Sequence, residues 1–593
     1  MPNEPELYFT HDEWLNLKTK LADPFFARIH EHNLEALRLL EAEKNGDDVT
    51  DVPIRLGLGQ PKRTTIHERV LKNRMIRGTI AFYITRNPEY LRIAWDAIER
   101  TCASPEWRPK PSNSLRGLHL SACELFYTVS VGYDALKPHL TAEQRERCVN
   151  TLRDVGLPQY LKALELHDWW ENCDFNWGAA IHGNAGLAAL AIRHDAPELS
   201  ARVLKEVKAR LRTVIDSYYV DGGYTEGVMY QAGCLGWLTD FIVPLYRLEQ
   251  DSLGLLDNKD FHDTITTFQY LKGGDERPYN FSNVDASTNE WGTAQVFWWA
   301  AQLKRPDWAH FQEQTLRDWR DTHSCNYDVE AFLYRQPFQP VQTPETRGVK
   351  HFQGIDWLTW KGEKTWLGFR SGFNGGNHNN KDLGSFILGC GTERFLVDPG
   401  YGAWQTEQHN AVTVRSQQQT DAATAKIVTM QPFAGGFYLK CDLTEAFPHA
   451  LQHFRRHLLL LDDQHVLVLD DILGRGPRPH SAKFRTSAKW FLQTRLPWSN
   501  DENTITIRGS AARLKVMLLS DVGFLESKDW AWDGPLTTIS WRHIYDRHRD
   551  VHPMLLTFAT PKVDVFRNGD DVKIVIDGRA LKFSASSGEL TGF

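Results

Sequence analysis

Apolar positions recur every three or four residues over much of the first 335 positions and every second residue after that, so the chain changes character partway along. The segment HLTAEQRERCVNTLRDVG (139–156) predicts a helix. Thr141 is placed to cap it, Gln144 stands at the capping-box position, Leu152 and Val155 extend an apolar face, and Gly156 supplies a stop. IHERVLKNRMIRGTIAFYI and EYLRIAWDAIER carry the same amphipathic spacing. NWGAAIHGNAGLAALAI (176–192) is apolar and rich in small residues, which predicts a helix packed closely on its neighbours. Repeated amphipathic helices with short polar turns predict a helical array or toroid.

The proline-rich stretch Pro337–Thr346 reads as a linker, and beyond it the period is two. HLLLLDDQHVLVLDDIL (457–473) reads as strand, turn, strand, and two further hairpins turn at Asn568-Gly569 and Asp577-Gly578. The expected fold class is therefore α+β multidomain: an (α/α) toroid over residues 1–335, an antiparallel β-sandwich over 336–593, and a cleft between them.

Composition narrows the function. Lys and Arg total 68 against 75 Asp and Glu, a net charge of −7, which argues against a nucleic-acid partner. The 21 Trp, 18 Tyr and 30 Phe suit a cleft that stacks flat rings, and equally suit core packing. No apolar run is long enough to span a membrane, so no membrane partner is expected. The N-terminus shows no secretory leader, so the expected location is the cytoplasm, or the periplasm or exterior if a leader has been removed. Eight scattered Cys without a C-x-x-C pair read as reduced thiols.

Four stretches are more polar and Gly-rich than a core requires: 168–177, 221–230, 370–386, and 395–402 with 408–412. In the third, Gly375-Gly376 allows close backbone approach, and His378 follows in a polar loop where it can serve as acid or base or remain a solvated surface group. Glu226 and Tyr230 are four apart, hence on one face if helical, and a packed Tyr is the plainer reading. Asn176 opens the small-residue helix, where it can cap. His409 and Asp398 could form a metal pair or a structural hydrogen bond.

These blocks resemble the heparinase II/III-like polysaccharide lyases, a superfamily with an incomplete N-terminal (α/α) toroid and a C-terminal β-sandwich. D-G-x-x-x-E-G-x-x-Y at 221–230 resembles its catalytic-tyrosine helix. N-H-N-N-K-D-L-G-S-F, L-V-D-P-G and H-N-A-V resemble its H-x-H-x-D-x-G-S-F, D-x-G and H-N-T-V blocks. The resemblance implies Tyr230 and His378 as the acid–base pair and Asn176 as the group that neutralises a uronate carboxylate. Trp177, Trp237, Glu226 and Arg370 are the expected substrate-binding residues. Its zinc ligands fall on Asn380, Asp398 and His409. Asn at 380 replaces a usual His and is a poorer zinc ligand, so zinc is expected to be weak or absent and no cofactor is required.

The implied activity is β-elimination across a uronic acid in an acidic polysaccharide or oligosaccharide, with homodimerisation left open. A uronate C5-epimerase shares the proton abstraction. An (α/α)-toroid glycoside hydrolase would need two paired carboxylates, for which Glu171, Asp174 and Glu226 are available. A glycan-binding protein is the non-enzymatic alternative, against which the intact Asn176, Tyr230 and His378 argue.

Overall fold

The structure, a computed structural model, describes residues 4–42, 66–104, 107, 118–218, 220–282, 284, 293–318, 328–339, 341, 346–475, 487–531, 535–544 and 549–593. They form two compact units. The first comprises Met1–Tyr218, Tyr230–Ile265 and Thr288–Pro344, and the second Tyr219–Met229, Thr266–Ser287 and Glu345–Phe593. Two stretches upstream of the expected boundary near residue 335 thus pack with the C-terminal unit, and one of them carries Glu226.

The first unit is an array of paired helices. Ile66–Thr85 packs on Pro88–Cys102, and Asn176–Ala191 packs on both Ala122–Leu136 and Pro197–Ile215. The Pro88–Cys102 helix is one-sided as its spacing predicts, burying Ile93, Ala94, Ala97 and Ile98. Ile66–Thr85 is not amphipathic: it is buried from Leu71 to Ile84, and its charged residues survive there because they are paired. Arg77 donates to Asp328, and Lys72 lies 3.3 Å from Glu330.

The capping box at Thr141 forms as expected, with the Gln144 amide donating to the Thr141 hydroxyl and Gln144 Oε1 accepting from the Thr141 amide. Gly156 does not stop the chain. A π-helical turn over Thr151–Gly156 runs into the helix Leu157–Glu165, whose Pro158 sits where no backbone donor is needed. A Cβ at Gly156 would lie 2.7 Å from the Trp107 ring, so this glycine serves close packing rather than termination.

The small-residue helix Asn176–Ala191 is buried except at Trp177. A Cβ at Gly183 would meet the Trp237 carbonyl at 2.9 Å, and one at Gly186 the Phe241 ring at 2.6 Å. The helix Val228–Glu249 can approach this closely only because those side chains are missing. His182 pins the same helix: it sits 2.8 Å from the Tyr160 hydroxyl through Nδ1 and 3.1 Å from the Glu171 carbonyl through Nε2. A carbonyl only accepts, so Nε2 carries the proton and Nδ1 accepts from Tyr160.

Burial pushes His182 down to about 3, outweighing the favourable Glu171 carbonyl. The unfolded imidazole titrates near 6.5. Between these values the unfolded state holds a proton that the folded state refuses, so this contribution is complete above pH 6.5 and is lost as pH falls toward 3. Denaturant unfolding should show about 1.4 kcal/mol of stability lost per pH unit below 6.5 on this account. A His182→Gln protein should lack that share of the slope, and an unchanged slope would contradict the assignment.

The second unit contains antiparallel sheets. The longest, nine-stranded, is centred on the hairpin Leu451–Leu461 and His465–Gly474. Its turn places Asp462 and Asp463 at φ 52° and 50°, the left-handed values that a tight hairpin requires. The hairpins at Asn568-Gly569 and Asp577-Gly578 also form. Among the described residues between 450 and 590 no helix occurs. A five-stranded sheet runs Gly348–Phe352, Trp357–Lys361, Thr365–Phe369, Phe386–Cys390, Glu393–Leu396, and the loop joining its third and fourth strands carries His378. No described helix is long and apolar enough to cross a membrane. The seven described cysteines are free, and Cys325 lies outside the described residues.

Candidate active site

In the second unit, Gly375 and Gly376 lead into Asn377 and His378, whose backbone sits at φ 60°. A non-glycine residue holds that conformation only where its surroundings fix it. Beside this loop lies Glu226, which is 1% exposed. Asn377 Nδ2 donates to Glu226 Oε1 at 2.7 Å, and the Tyr224 hydroxyl donates to Oε2 at 2.9 Å. His378 Nε2 lies 3.7 Å from Oε1, with its side chain 21% exposed. One residue on, Asn379 donates to the Phe373 carbonyl and accepts from the Ser282 hydroxyl.

Glu226 does not share a helix face with Tyr230. Gly227 intervenes at φ 88°, where a Cβ would lie 2.8 Å from the Phe281 carbonyl, and the helix begins only at Val228. Glu226 therefore occupies a turn, and its carboxylate is consumed by Tyr224 and Asn377 rather than offered to a ligand. Arg370, also expected to bind substrate, is fully buried. Its guanidinium donates to the Ser371 and Phe373 carbonyls, lies 3.5 Å from Asp382 and stacks on Trp357, because a buried charge needs such partners.

Asp398 and His409 come together as expected, with His409 Nδ1 2.7 Å from Asp398 Oδ2. Asp382, which the sequence reading passed over although it ends the N-H-N-N-K-D block, completes a buried trio whose candidate ligand atoms lie within 4.8 Å of one another. Nearby, Asn410 donates to the Phe386 and Val397 carbonyls and accepts from the Gln493 amide, tying this block to two strands and to the segment that follows Leu396.

Among the described residues this trio is placed to hold a metal ion, and the Asp382 carboxylate oxygens and both polar atoms of the Asn380 side chain are buried without a hydrogen-bond partner. We nevertheless propose that zinc binds weakly, because Asn380 stands where a His ligand is usual. His409 Nε2 donates to the Ala403 carbonyl at 2.9 Å, and its other nitrogen faces Asp398, so both nitrogens act as donors. Burial opposes the charged ring, yet the Asp398 and Asp382 carboxylates outweigh it and hold His409 up at about 9. Burial raises the Asp382 carboxyl although the Arg370 guanidinium lies 3.5 Å away, and Asn380 offers only a buried neutral amide. Elemental analysis of protein purified without chelator is expected to find well below one zinc per chain; stoichiometric zinc at Asp398 and His409 would overturn this.

In the first unit, Asn176 is the first residue of its helix and 2% exposed. It is not a cap: Phe175 occupies that position, in extended conformation, and no side chain caps the end. Trp177 follows, partly exposed, its ring 4.5 Å from Trp169, which stacks in turn on Phe175. Trp169 is 46% exposed and was not singled out from the sequence. Tyr230 is half-buried in the first turn of Val228–Glu249, and Trp237, two turns later, is the residue whose carbonyl abuts Gly183 of the Asn176 helix.

Residues 344–532 match the family model of the heparinase II/III-like C-terminal domain. Among solved structures the chain is similar to heparinase III, with a TM-score of 0.62 and 11% identity, covering 88% of this chain and 84% of that one. It is also similar to the heparan sulfate lyase HepC from Pedobacter heparinus, with a TM-score of 0.55, 12% identity and coverage of 89% and 82%. A Streptomyces coelicolor A3 chondroitin AC lyase variant gives a TM-score of 0.53, 12% identity and coverage of 97% and 88%. Comparison with the curated proteins finds no match. The chain thus has the toroid-plus-sandwich fold of the heparinase II/III-like polysaccharide lyases, with that superfamily's C-terminal domain over 344–532.

Proposed function

We propose that this protein is a polysaccharide lyase that cleaves a uronic-acid-containing polymer by β-elimination. The observation that carries this reading is His378. Within the stretch that matches the lyase C-terminal domain, a partly exposed imidazole sits at a left-handed backbone position 3.7 Å from a buried carboxylate that accepts a hydrogen bond from the preceding Asn377. Two of the three carboxylates open to a hydrolase are engaged by neighbouring side chains, leaving the exposed Asp174, and this supports the lyase over that rival. Glu171 pairs with Arg210 and His167, and Glu226 with Tyr224 and Asn377.

In the proposed reaction Asn176 donates a hydrogen bond to the uronate carboxylate and stabilises the enolate-like charge that develops when C5 loses its proton. Tyr230 and His378 divide the base and acid roles. The C5–H electron pair forms the C4–C5 double bond, the C4–O bond breaks, and the departing glycosidic oxygen takes a proton. The exposed Trp169 ring, with Trp177 tilted 51° against it, supplies an apolar surface for a pyranose ring, and Trp237 is a further candidate stacking wall. Heparinases, chondroitin lyases and xanthan lyases are among the proteins sharing this fold, so the substrate class proposed is an acidic glycan with a 1,4-linked uronate.

A panel of uronate polymers tests the proposal. A lyase releases an unsaturated, ultraviolet-absorbing uronate, whereas a hydrolase makes reducing ends without it. An epimerase only exchanges solvent deuterium, and a binder does none of these.

A further inference from the structure

We propose that Glu226 is a positioning residue that holds His378 in its working orientation; this rests on the reading of His378 as an acid–base group. Glu226 is too buried to meet a polymer, yet a buried carboxylate is costly unless its charge is used. One of its carboxylate oxygens faces the loop that carries His378. Asn377, one residue before the imidazole, donates to Oε1, and His378 Nε2 itself faces the same oxygen at 3.7 Å. Tyr224 occupies Oε2 and so fixes the carboxylate from behind.

The turn that presents Glu226 is itself constrained. Asp221 stands at φ 61° and accepts from the Gln353 amide, and Gly227 fits only as glycine against the Phe281 carbonyl. On the other side, Gly375 and Gly376 give the His378 loop little intrinsic stiffness. A rigid anion thus faces a loop of low stiffness whose His adopts an unfavourable backbone conformation. The bonds of Asn379 to Phe373 and Ser282 hold the loop on one side of His378, and Glu226 holds it on the other through Asn377.

Two readouts test this. In Glu226→Ala, amide hydrogen exchange across residues 374–384 should accelerate, and kcat should fall about 10²-fold, the scale of a lost acid–base group, with KM little changed. On a His378→Ala background the same substitution should cost almost nothing further, because a residue that acts only through His378 has nothing left to position. If Glu226→Ala does not fold, Glu226→Gln, which keeps the side-chain volume, carries the same cycle, and Asn377→Ala should reproduce the faster exchange. Unchanged exchange with full kcat, or a Glu226 effect that adds to that of His378→Ala, overturns the proposal. If wild type yields no unsaturated product from any uronate polymer, the lyase reading fails, while the exchange arm still decides whether Glu226 anchors the loop.

Discussion

Asn176→Ala is expected to fold normally and to lose about 10²–10³-fold in turnover, the scale of a missing donor at a developing oxyanion. The capping alternative would have predicted about 1 kcal/mol of lost stability with activity intact. The structure removes the basis for that alternative, because Phe175 is the capping position and Asn176 already lies inside the helix. Alanine is the best helix former, so the first turn should tolerate it. The helix is held instead by the close approach of Gly183 to the Trp237 carbonyl and by the hydrogen bonds of His182, none of which involve the Asn176 side chain. Steady-state turnover alongside a thermal melt checks this. Full activity would remove Asn176 from the mechanism.

Tyr230→Phe should keep the ring and its packing in the first turn of Val228–Glu249 while removing only the hydroxyl. Turnover should fall at least about 10²-fold, as for loss of a general acid or base, with little change in melting temperature. His378→Ala is expected to behave alike, since a loop imidazole supports little core. Near-normal turnover of Tyr230→Phe on a uronate polymer would refute the proposed chemistry.

How much the sequence disclosed follows from how local each feature is. The capping box at Thr141 and the Asn568-Gly569 and Asp577-Gly578 turns are closed by bonds within a few residues, so their residue types announce them. The change of period near residue 335 likewise reports the passage from helices to strands. The misreadings were long-range. Gly156 looked like a stop because nothing in its neighbours in sequence reveals the Trp107 ring pressed against it. Glu226 looked like a helix-face partner of Tyr230 because the carbonyl that forces Gly227 into a left-handed turn belongs to Phe281. Arg370 looked like a ligand for an anion because an arginine in a polar block gives no sign that Asp382 and Trp357 enclose it. Asp398 and His409 were legible as a pair because both residue types suit a shared proton or ion, whereas Asp382, distant in sequence from both, joins them only through the fold.

The most direct test of the central claim is the fate of solvent oxygen. Cleavage of a uronate polymer in water enriched in heavy oxygen, followed by mass spectrometry of the fragments, separates elimination from hydrolysis with no assumption about linkage. Elimination draws no oxygen from solvent: every new reducing end is unlabelled, and every new non-reducing end is one water lighter, as the C4–C5 double bond requires. That is the result this account predicts. One heavy oxygen per cleavage, with saturated ends throughout, would contradict it.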